Sequence, residues 1–231
     1  MKEEITIPEN LSEITLGQYQ EFLTKSKDLD GYKLAQCTVS VFCCIPMVSV
    51  LKISLVDVTS ITNHLNTLFQ VEQPLQLSFK LKSENVSQEF GFINDIENMS
   101  LGEYSDLDTY ISDWDNMHKA MAVMYRPLVN RIKEQYTIVD YEGTADFASI
   151  MRFMPLNVAL GAMVFFYHLG NELLKATRNY LVAETVEMIT AEQHNSISNG
   201  GGTTVSTHSL KEMLEGLTKL PDFPLPKHSL I

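Results

Sequence analysis

The chain has 231 residues, 45% of them apolar, and a formal net charge of −12. That length and apolar content allow a buried core in one domain with appendages, and they exclude a disordered chain. The negative charge argues against nucleic acid, or an anionic membrane, as a partner held by bulk electrostatics.

The acidity is uneven. Glu84, Glu89, Asp95, Glu97, Glu103, Asp106, Asp108, Asp113 and Asp115 lie in one stretch that contains no Lys or Arg. Such a run is either a solvated face that keeps the chain soluble or a docking surface for a basic partner.

The N-terminal residues MKEEITIPEN lack the apolar core region of a secretory signal. Ile5 to Ile7 suits a short strand, ended or placed at an edge by Pro8. Thr15 and Gln18 then stand at the spacing of a capping box, with Ile14 and Tyr19 at the positions of a hydrophobic staple. This predicts a helix from Leu16 to Lys27. A second helix is predicted from Tyr32 to Cys44, stopped near Pro46. Cys37, Cys43 and Cys44 have no metal-like spacing and read as small buried hydrophobes in a reducing compartment. A third helix is predicted from Asp57 to Val71, with Val58, Ile61, Leu65 and Leu68 inward.

The pattern then changes period. Leu75, Leu77, Phe79 and Leu81 alternate with polar residues, and Val86, Phe90 and Phe92 resume the phase after Ser83 to Asn85. Alternation of this kind predicts a β-hairpin over residues 75–93. Ile5–Ile7 or Thr137–Tyr141 could extend it, since two strands alone are marginal.

The central segment runs from Glu97 to Pro127. Ser100 and Glu103 repeat the capping box, and Met99 and Tyr104 repeat the staple. Tyr104, Leu107, Ile111, Trp114, His118, Met121 and Tyr125 recur at alternating spacings of three and four. That is a seam down one helix, or down two helices joined near Trp114. Met117, Met121 and Met124 read as adaptable core packing. The parallel between Ile14-Thr15-Leu16-Gly17-Gln18-Tyr19 and Met99-Ser100-Leu101-Gly102-Glu103-Tyr104 reads as one way of starting a helix used twice, with a true internal repeat as the alternative.

Beyond Pro127 a helix is predicted over Leu128 to Gln135 and a short one over Asp146 to Phe153. Pro155 suits the first turn of a long helix reaching about Ile189, in which Gly161 and Ala162 permit close helix packing. The apolar run FMPLNVALGAMVFFYHL, from Phe153 to Leu169, contains Pro155, Asn157 and His168 and is short for a membrane span of about 20 residues. It reads as a buried helix. Residues 195–208, NSISNGGGTTVSTH, have linker composition. Ser209 and Glu212 form a third capping box, followed by an apolar stripe of Leu210, Met213, Leu214 and Leu217 and a proline-rich tail.

The fold class is therefore mainly α with an α+β element. It comprises a helical bundle-like domain over 1–194 with an antiparallel hairpin at 75–93, a linker at 195–208, and a tethered helix and tail over 209–231.

Motifs that carry chemistry do not occur. There is no phosphate-binding loop, dinucleotide-binding glycine pattern or nucleophile elbow. Asp115-x-x-His118 has the spacing of half a carboxylate–histidine metal site on a bundle helix, and His168 with Glu172 is a similar pair. Neither is assigned as a ligand set. No catalytic residue, cofactor or metal is assigned. Two groups are candidates for partner binding: Asp106, Asp108, Asp113 and Asp115 on the acidic segment, and Leu210, Met213, Leu214 and Leu217 on the C-terminal stripe.

Residues 90–181 resemble the structural and assembly proteins of tailed bacteriophages, nearest to small acidic helical tail-assembly chaperones. The resemblance is carried by Phe90-Gly91-Phe92-Ile93, Leu101-Gly102-Glu103-Tyr104, Asp106-Leu107-Asp108, His118-Lys119-Ala120-Met121 and Tyr125-Arg126-Pro127. It implies a non-enzymatic role in virion assembly within the host bacterial cytoplasm, through another phage structural or assembly protein. A structural component of the particle, and an enzyme or host-directed effector whose site would gather Asp115, His118, His168 and Glu172, are the alternatives.

Overall fold

The computed structural model describes residues 5–83, 86–93, 96, 99–133 and 135–169, with six further positions between 171 and 183. The chain divides into two compact units with the boundary after Met163. The first holds α1 (Leu16–Ser26), α2 (Gly31–Phe42), α3 (Met47–Val50), α4 (Leu55–Phe69), β1 (Ser78–Ser83), β2 (Val86–Phe92), α5 (Leu101–Tyr110), α6 (Met117–Met124), β3 (Tyr125–Ile132), β4 (Gln135–Ile138) and α7 (Ala148–Met151). A further helix begins at Leu156 and runs to the boundary at Met163. In the second unit, residues 164–169 are helical. Mainly helical with one antiparallel sheet, the fold is of the expected class. The expected linker at 195–208 and C-terminal helix at 209–231 lie outside the described residues.

Local chemistry explains the start of α1. The Thr15 hydroxyl accepts from the Gln18 amide at 3.2 Å, and Gln18 Oε1 accepts from the Thr15 amide at 2.8 Å, so two orphan donors are satisfied reciprocally. Two more of the first-turn amides donate to the turn before Leu156: Leu16 to the Met154 carbonyl at 3.0 Å and Gly17 to that of Arg152 at 2.7 Å. The approach at Gly17 needs its missing side chain, since a Cβ there would lie 2.9 Å from the Arg152 oxygen. Ile14 and Tyr19, the staple residues, are both buried.

α1, α2 and α4 bury Leu16, Tyr19, Phe22, Val39, Phe42, Ile61, Leu65 and Phe69. Aromatic rings bind this cluster: Tyr19 stacks on Phe69 at 5.6 Å and meets Trp114 edge-on at 4.9 Å, and such pairs add to simple burial. The four strands lie in the order β1-β2-β3-β4, all neighbours antiparallel. Phe79 pairs with Phe90, and Phe92 with Tyr125. These four rings are buried. Met117, Met121, Met124, Met151, Met154 and Met163 are also buried, each at 1% exposure or less. Unbranched thioether side chains of this kind adapt to irregular core space.

Several expectations are corrected. Ile5 to Ile7 forms no strand, and α3, which falls between two expected helices, was not foreseen. The central segment takes the second of its two expected forms, two helices joined through a 3₁₀ turn at Trp114–Asn116, but Tyr125 opens a strand instead of ending a helix. Tyr104 lies off the seam, 61% exposed, and Leu77 is 58% exposed where the alternation placed it inward. The helix expected over Leu128 to Gln135 is not found among the described residues of that range. β3 covers Leu128 to Ile132, and β4 begins at Gln135. Leu128, Val129 and Ile132 fit a helical stripe locally, but pairing of β3 with both β2 and β4 decides the outcome. Cys44 is exposed. Its left-handed backbone, φ 54°, turns it out of the end of α2, where Gln18 Nε2 donates to its sulfur at 3.1 Å. Gly161 does permit close packing, but against a loop: a Cβ there would meet the Pro74 carbonyl oxygen at 2.3 Å.

Among the described residues no helix is long and apolar enough to cross a membrane.

Candidate functional site: the outward face of α5

α5 divides its residues between two stripes set by the helical period. Glu103 and Leu107, four apart, are buried. Leu101, Tyr104 and Asp108, at spacings of three and four, form a second stripe turned away from the first; Leu101 is 83% and Tyr104 61% exposed, and Asp108 is exposed. Of these, the exposed tyrosine is a residue type enriched at binding hot spots.

Beneath the stripe lies a polar anchor. The Ser100 hydroxyl accepts from the Glu103 amide at 3.2 Å, and Glu103 Oε2 accepts from the Ser100 amide at 2.7 Å. The other carboxylate oxygen, Oε1, accepts from Arg126 Nη2 on β3 at 2.7 Å. Both side chains of this ion pair are more than nine-tenths buried, at 9% and 8% exposure. Arg126 Nε has no hydrogen-bond partner, and the guanidinium lies 5.7 Å from the centre of the Tyr141 ring. The Tyr141 hydroxyl donates to Asp106. Burial first, and then that bond to a carboxylate, push the Tyr141 hydroxyl well above its ordinary range, so it remains a donor. α5 is thus tied to β3 through Glu103 and to the segment after β4 through Asp106. Breaking one half of a buried ion pair typically costs about 3–5 kcal/mol, enough to fix where α5 sits on the sheet.

The four acidic candidates therefore separate. Asp106 is half-buried and occupied by Tyr141. Asp113 caps the 3₁₀ turn, accepting from the Asp115 amide at 3.0 Å and from Asn116 Nδ2 at 2.5 Å. Asp108 and Asp115 are exposed. Glu103 and Glu89 also leave the acidic surface: Glu89 is held between Arg131 and Lys80 on the neighbouring strands. Leu210, Met213, Leu214 and Leu217 lie outside the described residues.

Asp115 borders a cleft of about 320 Å³ lined also by Gln20, Glu21, Thr24, Lys25 and Arg152. Gln20, buried at its back, donates to the Trp114 carbonyl at 2.7 Å and lies 3.1 Å from His118 Nδ1. Burial, reinforced by the charge of Arg152, pushes the His118 imidazole below its ordinary value. The contact between His118 Nδ1 and the Gln20 side chain joins α6 to α1. His168 and Glu172 belong to the second unit, both exposed. Among the described residues no three His, Cys, Asp or Glu side chains gather where they could hold a metal ion.

Sequence reasoning placed Asp108 and Asp115 on a candidate face but missed Leu101 and Tyr104. The spacing of Leu101, Tyr104 and Asp108 was visible. What hid it was the competing seam that claimed Tyr104 for the interior. Neither a protein-family model, nor a curated protein sequence, nor a solved structure matches the chain.

Proposed function

We propose that this chain is a non-enzymatic phage assembly factor, of the tail-assembly-chaperone kind, that holds another phage protein on the outward face of α5. The observation that carries the reading is the exposure of Leu101 and Tyr104 on a helix whose other face is pinned by the buried Glu103–Arg126 pair. A helix already fixed in place needs little further ordering when a partner binds, which favours affinity. Asp108 on the same stripe favours a partner with a basic rim and adds to its rate of encounter. The resemblance of residues 90–181 to assembly proteins of tailed phages names the class of partner.

The test is capture from infected cells with the tagged full chain, alongside Tyr104→Ala and Asp108→Lys. A virion structural protein should be retained by the parent. Tyr104→Ala should weaken its binding by about 30-fold, the effect of losing one interface hot spot of about 2 kcal/mol. Asp108→Lys should reduce it less, mainly by slowing association. The chain should be absent from purified particles. Stoichiometric presence in particles would make it a structural component, and undiminished capture by a folded Tyr104→Ala variant would reject α5 as the binding face.

A further inference from the structure

A second surface, away from α5 in sequence, is also apolar. α3 and the start of α4 expose Val48 (68%), Leu51 (70%), Leu55 (75%) and Val56 (77%), while Val50 from the same turn is buried at 3%. The backbone here is held by its own bonds, Val50 and Ser49 amides to the Pro46 carbonyl and Lys52 amide to that of Ser49. The apolar side chains are therefore presented by a fixed frame. Single exposed apolar residues are ordinary, but four within nine consecutive residues of one short segment mark an interface.

Charge indicates what covers it. Between Gly31 and Val56 the chain has Lys33 and Lys52 and no Asp or Glu, and Asp57 follows directly. The cluster itself thus carries one cation, Lys52, and one anion, Asp57, in a chain of net charge −12. A two-fold contact places each residue opposite a different residue of the copy and repeats that pairing in reverse. Apolar side chains satisfy this rule by nature, and a balanced Lys/Asp pair satisfies it twice. A face carrying surplus charge of one sign would repel its copy.

We propose that Val48, Leu51, Leu55 and Val56 form a two-fold interface on which a second copy of this chain docks, with Lys52 of each copy facing Asp57 of the other. The interface does not use α5, so a dimer would present two partner-binding faces.

Sedimentation of the full chain over a range of micromolar concentrations tests this, with circular dichroism confirming that each variant is folded. The parent should show a reversible monomer–dimer equilibrium. Leu51→Glu, at an exposed position, should weaken it by at least about 30-fold, and Lys52→Glu should weaken it less. Ile132→Glu, which alters an exposed apolar residue on β3, should leave it unchanged. A spin label on Cys44, the exposed cysteine, should show coupling between copies in the parent and lose it in Leu51→Glu. A parent that stays monomeric, a Leu51→Glu variant that dimerises like the parent, an Ile132→Glu variant as weak as Leu51→Glu, or assemblies larger than dimers would each overturn the proposal.

Discussion

α1 and α5 begin alike and end up in opposite surroundings. Each opens on a hydroxyl cap and a residue three positions on that returns the bond. In both, that residue's second polar atom anchors the helix elsewhere. Gln18 Nε2 donates to the Val41 carbonyl at 3.3 Å, at the end of α2, whereas Glu103 Oε1 takes the guanidinium of Arg126. The fourth helical residue then diverges: Tyr19 is 4% exposed and Tyr104 61%. The capping box specifies where a helix starts but not which side of it faces the core. A neutral anchor accompanies a helix enclosed by aromatic rings, while a charged anchor holds a helix that leaves an apolar face in water.

The comparison can be broken at its charged end first. Glu103→Gln keeps the shape and removes the charge, leaving Arg126 buried without a counter-ion. Denaturant unfolding should show a loss of about 3–5 kcal/mol, and a loss well under 1 kcal/mol would refute a structural role for the pair. The two glycines sharpen the contrast. Gly17→Ala must displace the Arg152 backbone and should cost about 1–3 kcal/mol. Gly102→Ala meets nothing closer than Tyr141 Cε1 at 3.7 Å and should stay within about 0.5 kcal/mol of the parent. Equal effects would mean that the two helix starts are packed alike. The smallest effect lies where α1 meets α6. Because the folded chain holds His118 below its ordinary 6.5, the unfolded chain takes up the proton more readily. Stability should therefore be full above about pH 7 and fall as the pH drops through 6.5 toward the folded value. Comparing melting at about pH 7.5 and pH 5.5, His118→Gln should flatten this part of the slope. An unchanged slope would place the acid sensitivity elsewhere.

What the sequence made legible was what neighbouring residues decide together. The two capping boxes, the starts of α1 and α5, the helices α2 and α4 to within two residues and the hairpin of β1 and β2 all follow from short-range pattern. What stayed hidden depends on distant partners. β3 reads locally as a helix because Leu128, Val129 and Ile132 suit either period, and only pairing with β2 and β4 selects the strand. Glu103 reads as a solvated acid because Arg126, its counter-ion, lies 23 positions away. The candidate face was half visible for the same reason: exposed acids are countable, but which helical residues turn outward depends on what packs against the other side.

The junction of α6 and β3 has a consequence for how the molecule opens. The Tyr125 amide closes the last turn of α6 on the Met121 carbonyl, while Tyr125 itself pairs with Phe92 across the sheet. One residue earlier, the Met124 carbonyl accepts from the Ile93 amide at 2.8 Å. Helix and sheet therefore share consecutive peptide groups with no loop between them. The end of α6 cannot fray without releasing the β2–β3 pairing, and that pairing cannot part without unwinding α6. The two elements form a single cooperative unit, so amide exchange at Tyr125 and Ile93 should report one common opening free energy, close to that of global unfolding.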